Sequence, residues 1–182
     1  MTKVLVPLAQ GCEELEAITI TDLMVRANID VVTAGLDSSP VTAARGTKII
    51  PDSDINNLID DEFDMVVLPG GLPGADHLRD SAVVQKIIKQ HSANGKYIAA
   101  ICAAPKALAH AGLLENKTAT GFPGVLDALE LKNTTVKKTA LEIDGKVITS
   151  RGPGTAMDFT LQLIELLEGK DKRDSVEKGL VR

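Results

Sequence analysis

Lys96-Tyr97-Ile98-Ala99-Ala100-Ile101-Cys102-Ala103-Ala104-Pro105 is the stretch on which the fold turns. Its unbroken apolar run, with no polar alternation, predicts a strand covered on both faces, the pattern of a parallel sheet between helices. The run stops at a cysteine between small residues. A helix of small residues is expected next, over Ala103–Ala111, ended by Gly112. Small neighbours let a chain turn sharply from strand to helix, and this step has the form of a nucleophile elbow with Cys in place of Ser and Ala in place of Gly.

The same alternation extends both ways. Val4–Leu8, Asp30–Leu36 and Asp64–Pro69 read as further buried strands, and Glu13–Ala27 has helical spacing with Leu15, Ile18, Leu23 and Met24 as candidate buried positions. Short elements are expected at Thr47–Ile50, Ile55–Ile59 and Thr118–Thr120, and Gly70–Gly74 reads as a flexible loop. Ser81 is placed to open a helix over Val83–His91. Asp144-Gly145 between Val136–Leu141 and Lys146–Thr149 is a hairpin signal. Arg151–Thr155 leads into a helix reaching Glu168, with Thr155 and Asp158 at capping-box spacing, and Asp171–Leu180 closes the chain as a last helix. Strands alternating with helices predict one α/β domain over residues 1–182, a three-layer sandwich of a mainly parallel sheet with helices on both faces.

Composition narrows the function. Aromatics are 2% of the 182 residues, so the core is aliphatic and stacking platforms for single-stranded nucleic acid are missing. Net charge is −5 with no basic block, which argues against specific nucleic-acid binding. No apolar run approaches the ~18 residues of a membrane helix. The two cysteines, Cys12 and Cys102, form neither a disulfide framework nor a metal spacing. A cytoplasmic protein without metal or cofactor is expected. Gly70-Gly71-Leu72-Pro73-Gly74 lacks the dinucleotide-binding spacing, and no Walker A motif occurs.

Open α/β sheets carry their sites beyond the carboxyl ends of the strands. Three loops qualify: 9–16, 70–74 and 102–105. At a helix N-terminus the Cys102 thiol is expected to be acidic and nucleophilic, although a buried, inert cysteine has the same local pattern. The Gly70 or Gly71 N–H can contribute to an oxyanion hole. Of the acids Glu13, Glu14 and Glu16, the first two fit a solvated first turn. Glu16 sits where it can face the crevice, although spacing alone does not select it over Glu13. A carboxyl beside a thiolate keeps its proton and can shuttle it. The three histidines are His77, His91 and His110, and none follows position 110. His91 reads as a helix-surface residue, so a Cys-His hydrolase is disfavoured.

Together, Gly11–Glu16, Val67–Gly71, Ala99–Pro105 and Thr149–Thr155 make the chain resemble the ThiJ/PfpI family along nearly its whole length, in its parkinsonism-associated deglycase branch and its bacterial YajL-like members. The resemblance implies a flavodoxin-like sandwich that forms a homodimer. It implies Cys102 as reactive thiol, Glu16 as its protonated partner, and Gly71 and Ala103 as oxyanion donors. Gly70, Phe122, Pro153 and Arg45 fall at the substrate site, and Asp22 and Arg26 at supporting positions near it. Phe122, in Gly121-Phe122-Pro123, stands where many members carry His, which weakens a peptidase reading. The expected activity is cofactor-free attack of Cys102 on a small 2-oxoaldehyde such as methylglyoxal, giving lactate, or on its protein or nucleotide adducts. The alternative is an oxidative-stress sensor or chaperone acting through oxidation of Cys102, with Cys12 as a second thiol if it lies close.

Overall fold

The structure is a computed structural model that describes residues 1–182. In chain order the strands and helices are β1 (Lys3–Leu8), α1 (Glu14–Arg26), β2 (Asp30–Gly35), β3 (Val41–Thr42), β4 (Lys48–Ile49), β5 (Ser53–Asp54), β6 (Met65–Leu68), α2 (Gly74–Asp80), α3 (Ala82–Ala93), β7 (Tyr97–Ile101), α4 (Pro105–His110), β8 (Thr118–Ala119), β9 (Thr135–Val136), β10 (Leu141–Asp144), β11 (Val147–Ser150), α5 (Ala156–Glu168) and α6 (Lys170–Gly179). Ile55–Leu58 and Pro153–Thr155 are short 3-10 turns.

Seven strands form one sheet in the order β10-β11-β7-β6-β1-β2-β5. Every neighbouring pair is parallel except the β10–β11 hairpin. Side chains alternate between two cores, as the period-2 pleat requires. Val4, Val6, Met65, Val67, Ala99 and Ile101 face a cluster completed by α1 and α5. Leu5, Val66, Leu68, Ile98 and Ala100 face a second cluster built on α2, α3 and α4. Two cores on one sheet are the expected three-layer sandwich. The strand order reverses between β1 and β6, so a crevice opens at their carboxyl ends, where ligands bind in such sheets.

Four expectations are corrected. Leu15 and Ile18 are about half exposed. The buried stripe of α1 is Glu16, Ala17, Ile20, Leu23 and Met24, so its inward face begins on a carboxyl group that an apolar reading skips. Gly74, expected in a flexible loop, instead opens a helix, α2, over residues 74–80. Gly74 opens it because a Cβ there would lie 2.6 Å from the Cys12 backbone nitrogen; the glycine marks close packing, not flexibility. His91 is buried rather than on the helix surface, with its Nδ1 3.1 Å from the Ile87 carbonyl. Thr155 forms no capping box with Asp158. Its hydroxyl instead accepts from the Gly152 N–H (3.1 Å) and meets the Ser150 hydroxyl (2.7 Å), bracing the loop after β11. Ser81 does cap α3, accepting from the Val84 N–H at 3.3 Å.

Candidate active site

Cys102 follows β7 directly and has φ +63°. A non-glycine residue in the left-handed region is strained by roughly 1–3 kcal/mol and persists where surrounding contacts enforce it. Here they are visible. The Cys102 N–H donates to the Ser150 carbonyl (3.0 Å), and its carbonyl accepts from the Phe122 N–H (2.7 Å). Cys102 is thereby clamped between the end of β11 and the loop that follows β8, and its side chain is nearly buried.

Glu16, on the first turn of α1, is completely buried and reaches the same point. Its Oε2 accepts the Gly70 N–H at 2.7 Å. The glycine is obligatory: a Cβ at position 70 would stand 2.6 Å from Cys102 Cβ and 2.8 Å from Glu16 Oε2. The Gly70 N–H therefore serves the carboxyl group and is not an oxyanion donor. The Gly71 and Ala103 N–H groups, by contrast, are directed at the Cys102 sulfur and serve no other backbone acceptor. Gly71, at φ +87°, is pressed against the 11–13 backbone.

The expectation of an intrinsically acidic thiol is corrected. α4 has only six residues and begins three positions beyond Cys102. Burial, and then the neighbouring Glu16 carboxylate, push the thiol up, while the Gly71 and Ala103 N–H groups pull it down. Burial also raises Glu16, to about 7, against the opposing pull of the Gly70 N–H. Two such groups titrate as a unit. Glu16 Oε1 is buried and receives no hydrogen bond. An ionised oxygen there is uncompensated, whereas a protonated one needs no donor and can itself donate. The N–H groups at the sulfur support a thiolate and the bare Oε1 supports a neutral carboxylic acid, while burial keeps the net shift of the thiol upward.

The remaining expected residues lie at varying distances from this pair. Phe122 is half-exposed, and its ring lies 3.5 Å from where a Gly152 Cβ would stand; Pro153 follows in the 3-10 turn. Arg45 is exposed and 3.8 Å from Glu13. Asp22 and Arg26 pair with each other at 2.7 Å on the outer face of α1 and do not reach Cys102 within one chain. Glu14 does more than face solvent: its carboxylate accepts the Arg45 N–H at 2.9 Å and the Thr47 N–H at 3.5 Å, pinning the 44–47 loop to α1. No local signal marks that role, because the acceptor and its donors are over 30 residues apart. Cys12 is fully buried, and burial followed by the Glu14 charge pushes its thiol up to about 11. No histidine hydrogen-bonds to Cys102: His77 contacts the Gln10 carbonyl, and His91 contacts Ile87. No helix is long and apolar enough to cross a membrane.

Residues 2–166 match the model of the DJ-1/PfpI family. The chain is 40% identical to Protein DJ-1 homolog A of Arabidopsis thaliana over 98% of its own length, and it spans less than half (46%) of that longer relative. It is 42% identical to Protein dj-1beta of Drosophila melanogaster, covering 97% of this chain and 95% of the relative. It is 34% identical to the glutathione-independent glyoxalase DJR-1.2 of Caenorhabditis elegans, covering 94% and 91%. Among solved structures, Drosophila melanogaster DJ-1beta superposes with a TM-score of 0.94 at 41% identity, covering 99% of this chain and 97% of that one. Toxoplasma gondii DJ-1, solved in an oxidized state, superposes with a TM-score of 0.93 at 36% identity, covering 100% and 98%.

Proposed function

The chain belongs to the DJ-1/PfpI family, in its DJ-1 branch, and from that premise we propose that it is a cofactor-free cysteine enzyme acting on small 2-oxoaldehydes. The observation that carries this reading is the buried Glu16 carboxyl beside Cys102, with one oxygen held by Gly70 and the other without a donor. Such an acid can hand a proton to a substrate and take it back at neutral pH.

The steps balance with water as the only co-reactant. The Cys102 sulfur bonds to the aldehyde carbon of methylglyoxal, and the carbonyl oxygen becomes an oxyanion facing the Gly71 and Ala103 N–H groups. Glu16 gives its proton to that oxygen, and the product is a hemithioacetal. The carboxylate then removes the C1 hydrogen as a proton, and the electron pair passes into an enediolate with its charge on the C2 oxygen. The C1 hydroxyl proton passes to that oxygen, and return of the Glu16 proton to C2 leaves a thioester of lactate, which water cleaves to lactate and free thiol. Adducts of the same aldehyde enter through loss of free aldehyde. The relative named a glutathione-independent glyoxalase supports the reading. Cys102→Ser is expected to abolish lactate formation, and Glu16→Gln to lower kcat by about 10²-fold or more, within the ~10²–10⁴ range of general acid–base catalysis. Lactate formation retained by Cys102→Ser, followed by an enzymatic lactate assay, overturns the proposal.

A second reading is oxidation sensing. The two N–H groups at the sulfur can equally hold the oxygens of a sulfinate, and a relative solved in an oxidized state favours it. Selective gain of two oxygens at Cys102 under mild peroxide, with no methylglyoxal loss by the reduced protein, would establish that role instead. A peptidase role lacks its base, since Phe122 stands where the family resemblance expects His and no histidine hydrogen-bonds to Cys102. A homodimer in the cytoplasm completes the proposal.

A further inference from the structure

The two backbone clamps on Cys102 lead directly to a second feature. The Phe122 N–H holds the Cys102 carbonyl, and the Ser150 carbonyl holds its N–H. Phe122 itself, and Arg151 next to Ser150, line a small pocket of about 60 Å³. Its other charged walls are Lys137, Lys138 and Asp127. Three cations against one carboxylate make a concentrated positive spot on a chain whose net charge is −5. Part of this charge is uncommitted: Lys137 pairs with Glu142 at 3.5 Å, whereas Lys138 and Arg151 form no ion pair. Asp127 is turned to its own loop, accepting the Gly124 N–H at 3.2 Å.

Volume decides what fits. A cavity needs roughly 10–15 Å³ of such space to hold one water, so the pocket holds a few waters or one small group in their place. We infer that this pocket is an anion subsite, and that the substrate preferred by the Cys102 site is a carbonyl compound bearing a carboxylate or phosphate a few atoms from the reacting carbon. Arg151 supplies a planar fork suited to either anion. Lys138 adds a point charge. The inference rests on Cys102 as the reacting centre, but not on the product formed there.

Alkylation tests it without turnover. Cys102 is labelled with three matched reagents: iodoacetylglycine, its neutral amide, and the iodoacetyl derivative of phosphoethanolamine. Rates are read by mass spectrometry and divided by those of a free small-molecule thiol. The expected result is a preference for an anionic reagent over the amide on the order of tenfold at low salt, fading as salt rises. The stronger of the two anionic reagents identifies the anion. Lys138→Gln and Arg151→Gln each reduce the preference several-fold, whereas Lys89→Gln on α3 leaves it unchanged. An anionic-to-neutral ratio equal to that of the free thiol overturns the inference, as does a ratio that survives in the Lys138→Gln/Arg151→Gln double variant. An equal loss in Lys89→Gln also overturns it, since that reports only the overall field. If wild type shows the preference but forms no lactate from methylglyoxal, the subsite stands and the glyoxalase reading falls.

Discussion

Glu16 carries an obligation that reaches beyond chemistry. An unfolded Glu16 ionises near its ordinary value of 4.5, while the folded carboxyl keeps its proton to about 7. Between those values unfolding releases a proton, so this group's contribution to stability is complete below pH 4.5 and is lost as pH rises toward 7. The amide introduced by Glu16→Gln does not titrate. The melting temperature of Glu16→Gln relative to wild type is therefore expected to climb between pH 4.5 and 7, by an amount worth up to about 3 kcal/mol at 1.36 kcal/mol per unit. A parallel pair of Tm–pH curves from calorimetry would show that the folded carboxyl ionises normally. Gly70 constrains the same spot sterically. Gly70→Ala places a Cβ 2.6 Å from Cys102 Cβ and 2.9 Å from the Ile101 carbonyl oxygen, so the side chains must separate. Turnover is expected to fall at least tenfold, and the Cys102 alkylation rate to shift with it; wild-type values for both would contradict so close an approach.

At the scale of elements, the chain advertises what it repeats and hides what it joins. The strands around β1, β2, β6 and β7 are legible because each is a continuous apolar run, and α3 because Ser81 precedes a clear helical period. Ser81→Ala removes that cap and is expected to cost about 1 kcal/mol; a denaturant midpoint unchanged from wild type would show that the Val84 N–H finds another acceptor. α2 is hidden by Pro73 and Gly74, residues that signal loop locally but here let a helix start against the Cys12 backbone. The sequence places the strand before the Asp144-Gly145 turn too early, since Val136 pairs instead in the small β8–β9 sheet and Leu141–Asp144 forms the hairpin. At the site, the elbow singles out Cys102 as the candidate, although a buried, inert cysteine has the same local pattern. Glu16 needs a family resemblance to separate it from Glu13, because only the packing of α1 decides which acid turns inward. The assignment of Gly70 to the carboxyl and Gly71 to the sulfur depends on contacts among three loops, which no spacing in one loop encodes.

The whole molecule leaves one face unexplained in a single chain. Leu15, Ile18 and Val25 are exposed on α1, 51%, 48% and 58% respectively. With Asp22 and Arg26 they lie three, four or seven residues apart, so they form one outward stripe, opposite the stripe that begins at Glu16. An apolar stripe centred on an internal ion pair suits a two-fold contact, where each helix presents the same surface to its copy. This is the surface we assign to the proposed homodimer, and it gives Asp22 and Arg26 a place near the site that one chain does not. Ile18→Glu combined with Leu15→Glu is the decisive variant. Each large apolar side chain buried at a contact contributes roughly 1.5–3 kcal/mol, and every substitution occurs twice in a dimer. The pair should therefore weaken association by well over a hundredfold, at about 1.4 kcal/mol per tenfold. Because both residues are exposed within the chain, folding should be unaffected, and a retained far-ultraviolet spectrum checks this. Sedimentation equilibrium should then find wild type as a dimer and the variant as a monomer at micromolar concentration. A variant that still sediments as a dimer would place the interface elsewhere. A variant monomer that keeps the wild-type Cys102 alkylation profile would show that the thiol–carboxyl pair, built wholly from one chain, does not need its partner.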